Sequence, residues 1–211
     1  EIWAPLANRL GMSSLKDELE DLGLKYTNPD AYEQIKRLVQ LKKGERSVYL
    51  EKAEKEIYKA AAKQNLDIKI SSRAKHFYSI YQKMRKRGKA VDEIYDLLAL
   101  RILVNTEQEC YLALGLIHSK FRHLPKRFKD YIAMPKPNMY RSLHTAVIGA
   151  GGKIFEIQIR TQEMDDLAER GIASHWSYKE GKDYSSKQEQ KDIVNKLQWL
   201  GDFISLSDEI K

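Results

Sequence analysis

The 211-residue chain carries 37 Lys and Arg against 30 Asp and Glu, a formal charge of +7, and 42% of its residues are apolar. That supplies one sizeable core, or one domain with a helical appendage, and the basic excess points to an anionic partner: nucleotides, nucleic acid or an acidic membrane. One cysteine excludes an internal disulfide framework, and the absence of a membrane-spanning apolar run or signal-peptide pattern leads to the expectation of a soluble, cytoplasmic protein.

The opening "EIWAPLANRLGM" begins mid-pattern, as in an excised fragment, and residues 1–64 read as helices. "SSLKDELEDLGLKY" offers Ser14 as a cap, with Gly23 interrupting the helix; "NPDAYEQIKRLVQL" starts at an Asn-Pro turn, and "GERSVYLEKAEKEIYKAAAKQ" continues with apolar positions three and four apart. No site chemistry is visible there, and a helical connector or packing platform is the expectation. From residue 65 strands and helices interleave. "LDIKIS" predicts a strand, "RAKHFYSIYQKM" a helix, "LLALRILV" a buried strand and "EQECYLALGLIHSKF" a helix holding Cys110 as a packed thiol. "DYIAM" reads as a short strand. "SLHTAVIG" and "KIFEIQIR" form a hairpin through "GAGG", and "EMDDLAERGIASHW" returns to helix. The fold class is therefore α/β or α+β, with a mixed sheet flanked by helices. "KEGKDYSSKQEQKD" is polar, and Ile193, Leu197, Leu200 and Phe203 mark a final amphipathic stretch.

Four groups carry possible chemistry. Arg73, Lys75, Ser79 and Lys83 fall near the start and along one face of the predicted 73–84 helix, where free N–H groups and cationic side chains suit phosphate. A solvated basic face is the plain alternative. Asp96 enters an apolar strand, where a helix cap, an ion pair with Arg101 or a Mg²⁺ site would each account for it. In "KRFKDYIAMPKPNMYRSLHT", Lys126, Arg127, Lys129 and Lys136 surround a Pro-Lys-Pro-Asn turn, followed by Tyr140 and His144. Tyr140 offers a ring to a base and Asn138 can read a base edge; a turn tyrosine on a solvated loop is equally compatible. Lastly, the alternation of "KIFEIQIRT" sets Phe155, Ile157 and Ile159 against Ile154, Glu156, Gln158 and Arg160, and the hairpin lets Glu156 share a face with His144. Together these suit phosphoryl transfer, in which positioning and charge neutralisation dominate.

"RAKHFYSIYQKM", "YDLLALRILV", "RFKDYIAMPKPNMYRSLHT" and "EIQIRTQEMDDLAERGIASHW", with the earlier "APLANRLG" and "KDELEDLGLKY", resemble the long RelA/SpoT-type stringent-response enzymes in order and spacing. The resemblance implies a nucleotidyltransferase-like (p)ppGpp synthetase domain over 65–180. A helical connector over 1–64, the tail of an upstream hydrolase domain, would precede it, and 181–211 would be a linker and terminal helix leading to absent regulatory domains. It implies transfer of the β,γ-pyrophosphate of ATP to the 3′-oxygen of GTP or GDP. Asp96 and Glu156 would be the catalytic, Mg²⁺-holding acids, with Glu156 also able to take the 3′-hydroxyl proton. Arg73, Lys75, Ser79 and Lys83 would serve ATP. Arg127, Lys129, Lys136, Asn138, Tyr140 and His144 would serve GTP, with guanine on Tyr140. The basic "RFKD" form resembles bifunctional synthetase-hydrolases, and the full-length protein would be ribosome- or tRNA-associated through regulatory domains.

Departures from the family pattern are Arg141, where Gln is common and where it would add charge beside Tyr140, and Asp165 at the His position of "EMH". No His is followed by Asp, the pair that the hydrolase half needs, so no alarmone hydrolysis is expected of this chain. Two other classes remain: a nucleotide-binding fragment inactive in isolation, and an RNA-binding module built on "KMRKRGK", residues 83–89.

Overall fold

A computed structural model describes residues 2–87 and 98–171, with backbone alone at 41–47, 74, 87 and 98. Three helices come first: α1 (Trp3–Arg9), α2 (Ser13–Thr27) and α3 (Pro29–Lys63). Asn28 caps α3 through its side chain, accepting from Ala31 N–H at 3.2 Å, with Pro29 at the first helical position as the sequence predicts. Two local expectations for α2 are corrected. Ser14 does not cap it; Met12 occupies that position and the Ser14 hydroxyl donates instead to Glu169. Gly23 does not interrupt it either, because Leu24 packs against Ile35 and Ile80, more than offsetting the roughly 1 kcal/mol a helical glycine costs.

Next come β1 (Lys69–Ala74), α4 (Phe77–Arg87), β2 (Leu98–Val104) and α5 (Glu107–Lys120). The first strand begins three residues later than "LDIKIS" implies. Leu66 is spent closing α3, its N–H donating to Ala61 O at 3.0 Å while Asn65 takes a left-handed φ of 50°. α5 starts with a capping box in which Thr106 and Glu109 satisfy each other's backbone N–H groups. The chain then forms β3 (Arg122–His123), β4 (Lys129–Asp130), β5 (Leu143–Ile148), β6 (Ile154–Thr161) and α6 (Gln162–Arg170). Of "DYIAM" only Asp130 is in a strand, the end of β4; the rest is a turn. The Asp130 carboxylate accepts from the N–H groups of Ile132 (2.9 Å) and Ala133 (2.8 Å), folding the backbone away from the sheet. The "GAGG" hairpin is present and joins β5 to β6.

The sheet runs β1-β2-β6-β5-β3, with β4 also paired to β5; β2 and β6 are parallel and the other pairs antiparallel, the mixed sheet expected. One face is apolar. Leu100, Ile102, Leu143, Val147, Phe155, Ile157 and Ile159 lie under α3 and α5, which contribute Leu50, Ala53, Ile57 and Ala61, and Cys110, Ala113 and Ile117. Each fully buried aliphatic side chain there contributes about 1.5–3 kcal/mol. Cys110 is a packed thiol as expected, pushed up to about 12 by burial and by Glu107 and Glu109. The strand period of two sends the alternate residues to the other face, which is polar: Arg101 on β2, His144 on β5, and Glu156, Gln158 and Arg160 on β6. Among the described residues no helix is long and apolar enough to cross a membrane.

α1 and α2 meet the end of α6 at a close backbone contact. Gly171, at φ +73°, has room for no side chain: a Cβ would lie 2.4 Å from Leu10 O and 2.6 Å from Met12 Cγ. Gly171→Ala is therefore expected to destabilise the fold by about 2 kcal/mol or more, lowering the melting temperature by about 4–8 °C in a calorimetric scan. An unchanged melting temperature would contradict this packing.

Candidate active site

The polar face of the sheet is built from two rows of register partners. Arg73, Ala99, Glu156 and Ala146 align across β1, β2, β6 and β5; Ser71, Arg101, Gln158 and His144 form the next row, with Lys129 of β4 beyond His144. Over them lies a cavity of ≈ 230 Å³, lined from the sheet by Arg73, Ala99, His144, Glu156 and Gln158. Lys75, His76 and Ser79 enter from the turn before α4 and its first turn, and Lys136, Asn138 and Tyr140 from the loop before β5. The remaining wall is Asn8, Ser13, Lys16 and Asp17, from the helices in which the sequence showed no site chemistry.

Most of the sequence-derived residues thus converge: Arg73, Lys75 and Ser79 from one group, Lys136, Asn138, Tyr140 and His144 from another, and Glu156 between them. One placement is corrected. Arg73 and Lys75 are not on the helix of Ser79 and Lys83: Arg73 is in β1 opposite Ala99, and Lys75 lies between β1 and α4. Lys83, further along α4, does not line the cavity, nor do the exposed Arg127 and Lys129. Asp96 lies outside the described residues, as do Lys89 of the 83–89 basic run, residues 179–192 and the amphipathic stretch from Ile193 to Phe203.

Glu156, His144 and Tyr140 form one hydrogen-bonded chain. His144 Nδ1 is 3.2 Å from Glu156 Oε1, and its Nε2 is 2.8 Å from the Tyr140 hydroxyl. Burial holds His144 below the usual imidazole range, outweighing the pull of Glu156, so the neutral ring donates from Nδ1 and accepts the Tyr140 O–H at Nε2. Burial alone would raise Glu156, but the His144 and Gln158 hydrogen bonds and the Lys75 charge win and lower it to about 2. Glu156 is a carboxylate at any working pH. Both of these side-chain donors meet Oε1, Gln158 Nε2 at 3.2 Å.

Tyr140 is aimed by a strained turn. Met139 has φ +63°, a left-handed conformation that costs a residue with a Cβ about 1–3 kcal/mol, and Lys136 and Tyr140 are joined by a backbone bond of 3.2 Å. The Asn138 amide is committed at both ends: its oxygen accepts from Tyr140 N–H (3.3 Å) and its nitrogen donates to Asn8 O (3.1 Å), tying the loop to α1. The Lys136 ammonium sits 4.8 Å from the Tyr140 ring centroid and 4.6 Å from that of Tyr131.

Acids from α2 face the cations of the other wall. Asp17 pairs with Arg73 at 2.7 Å, and His76 lies between Asp17 (3.3 Å) and Glu20 (3.0 Å). Burial would raise Glu20, but hydrogen bonds from His76 and Lys16 hold it below the usual carboxylate range. The Asp21 carboxylate accepts from the N–H groups of Phe77 (3.1 Å) and Tyr78 (2.8 Å), occupying the start of α4. Asp17, Glu20 and His76 could group around a cation by distance alone, but Arg73 and Lys16 already neutralise the two carboxylates, and the cluster is an ion-pair network. None of these acids was found from sequence, since an acidic helix face reads as solvated until its tertiary partner is known.

α6 closes the other end of the polar face. Asp165 takes Arg160 Nε at 2.7 Å and Arg101 at 3.1 Å, and Glu169 takes Arg101 at 2.7 Å. Arg101 therefore has two acids on α6 as partners; its pairing with Asp96 lies outside the described residues. Asp165, the departure at the family's His position, is a counter-ion for two arginines. Arg141 is corrected: it does not add charge beside Tyr140 but pairs with Glu107 at 2.6 Å and lines a separate cavity with Thr106, Thr161 and Glu163.

Comparison with known proteins shows which family the chain resembles over most of its length. A family model described as the region found in RelA / SpoT proteins matches residues 72–183. A guanosine-3′,5′-bis(diphosphate) 3′-pyrophosphohydrolase of Aquifex aeolicus is 50% identical over 186 residues, 88% of this chain and 27% of that protein. A GTP pyrophosphokinase of Photobacterium angustum is 43% identical over 209 residues, 99% of this chain and 28% of that protein. The chain thus spans just over a quarter of the length of the curated relatives it matches. Small alarmone synthetase 1 from Bacillus subtilis, solved with its product pppGpp, shares the fold at a TM-score of 0.51 and 22% identity, over 83% of this chain and 98% of that one.

Proposed function

Since the chain belongs to the RelA/SpoT family, we propose that it is the synthetase segment of a longer protein and makes (p)ppGpp from ATP and GTP or GDP. The observation that carries this is the convergence of Arg73, Lys75 and Ser79 with Lys136, Tyr140 and His144 around Glu156 in one cavity. A site for one drug-sized ligand spans about 300–1,000 Å³. At ≈ 230 Å³ the cavity suits the reacting phosphates and sugar, with the bases extending to its rims.

In this reading the acceptor 3′-oxygen bonds to the β-phosphorus of ATP, the bond between the α- and β-phosphates breaks, and AMP leaves. Lys75 and Arg73 hold the donor phosphates against the acceptor's charge, and Lys136 does the same from the opposite rim. Tyr140 stacks on guanine, the exposed Lys136 side chain turning its ammonium from the ring toward phosphate. Glu156 accepts a hydrogen bond from the 3′-hydroxyl and orients its lone pair; held at about 2, it is a weak base and takes the proton only as the new bond forms. An ionised hard-oxygen donor at the cavity floor fits Mg²⁺, which Glu156 and Asp96 would hold and which would offset phosphate charge. Asp96 is three residues from Ala99, the register partner of Glu156, within about 11 Å of chain reach. The reading assigns no hydrolysis to this segment, as no His is followed by Asp. Ribosome or tRNA association would belong to other parts of the longer protein.

The test is thin-layer separation after incubation with β,γ-labelled ATP and GTP. Labelled pppGpp is expected; GTP and ATP binding without transfer would leave only a nucleotide-binding segment. The Asp17–Arg73 pair adds a second expectation. Because Asp17 competes with ATP phosphate for Arg73, Asp17→Asn should lower the KM for ATP roughly five-fold, the worth of a partly exposed ion pair. A raised KM would mean that Asp17 orients Arg73 for ATP instead.

A further inference from the structure

Gln158 faces the cavity two positions beyond Glu156 on β6, between His144 and Arg101 in the sheet register. Its amide nitrogen donates to Glu156 Oε1 at 3.2 Å. The reverse amide orientation would set its carbonyl against a carboxylate, acceptor against acceptor, so Glu156 fixes which corner of the amide is oxygen. That oxygen, Oε1, is buried and has no donor among the described residues. A buried acceptor left unpaired is costly, and the cavity is where a donor can arrive. Strand neighbours on one face stand about 6.8 Å apart, but the Gln158 side chain reaches back, bringing its acceptor beside the carboxylate.

We propose that Gln158 Oε1 accepts a hydrogen bond from the ribose 2′-hydroxyl of the acceptor nucleotide, beside the 3′-hydroxyl held by Glu156, so that the two residues together read a vicinal diol. The inference rests on the synthetase reading of the cavity and adds to it a residue that selects ribose over deoxyribose.

The experiment is calorimetric binding of GTP and 2′-deoxy-GTP to the wild-type chain and to Gln158→Met, a variant of similar length without hydrogen-bonding atoms. The wild type should prefer GTP roughly 5–10-fold, and Gln158→Met should bind both within about two-fold of each other, having lost affinity for GTP alone. A preference of unchanged size in Gln158→Met, or an equal loss for both nucleotides, would overturn the assignment. So would equal binding of the two by the wild type, a result that needs no variant to fold. Transfer of labelled phosphate is followed in parallel: transfer to GTP without 2′-hydroxyl preference sinks this inference alone, whereas neither transfer nor GTP binding sinks the synthetase reading beneath it.

Discussion

Glu156→Gln is expected to reduce pppGpp synthesis by about 10²–10⁴-fold while leaving the chain folded. The replacement keeps the side chain's shape and an oxygen for His144 Nδ1 and the Gln158 amide to bond, so the loss reads the charge. Initial rates with labelled ATP measure it, and a rate within about three-fold of wild type would remove Glu156 from the chemistry. Stability gives an independent readout. A carboxylate lowered to about 2 from 4.5 contributes stability fully present above pH 4.5 and lost as pH falls toward 2. The wild type should therefore lose about 3 kcal/mol or less over that window through this one group, and Glu156→Gln should lose correspondingly less in acid-dependent denaturant titrations.

Tyr140→Ala is expected to weaken GTP binding by about 5–150-fold, the range for removing one base-stacking ring, while ATP binding changes less than about three-fold. Tyr140→Phe separates the ring from the hydroxyl: it keeps the stack but removes the donor to His144 Nε2, and GTP affinity should stay close to wild type. Calorimetric titration with each nucleotide decides. Equal losses for ATP and GTP in Tyr140→Ala would mean that the variant loosens the loop held by Met139 and Asn138 rather than removing a platform for guanine.

The cleft floor was legible in the sequence because strand periodicity and a glycine-rich hairpin constrain it on their own. The alternation of "KIFEIQIRT" separated Phe155, Ile157 and Ile159 from Glu156 and Gln158, and "GAGG" brought His144 onto the face of Glu156. Arg73 was misplaced because nothing in "SSRAKHF" breaks the chain: the end of β1 is set by pairing with β2, a contact that local propensity does not encode. "DYIAM" has strand composition, yet one carboxylate closing on its own downstream N–H groups makes all of it after Asp130 a turn. The wall from α1 and α2 was invisible for a different reason. Lys16, Asp17 and Glu20 lie on what reads as a solvated helix face, and only its docking against Arg73 and His76 turns it into part of a site.

The central claim, that both nucleotides react over one polar sheet face with Glu156 at its floor, is tested most directly by a crystal structure of the chain with a non-hydrolysable ATP analogue and GDP. Guanine stacked on Tyr140, with a ribose hydroxyl about 2.6–3.2 Å from the Glu156 carboxylate, is the predicted result. Guanine seated away from Tyr140, or the two nucleotides in separate cavities, would contradict it.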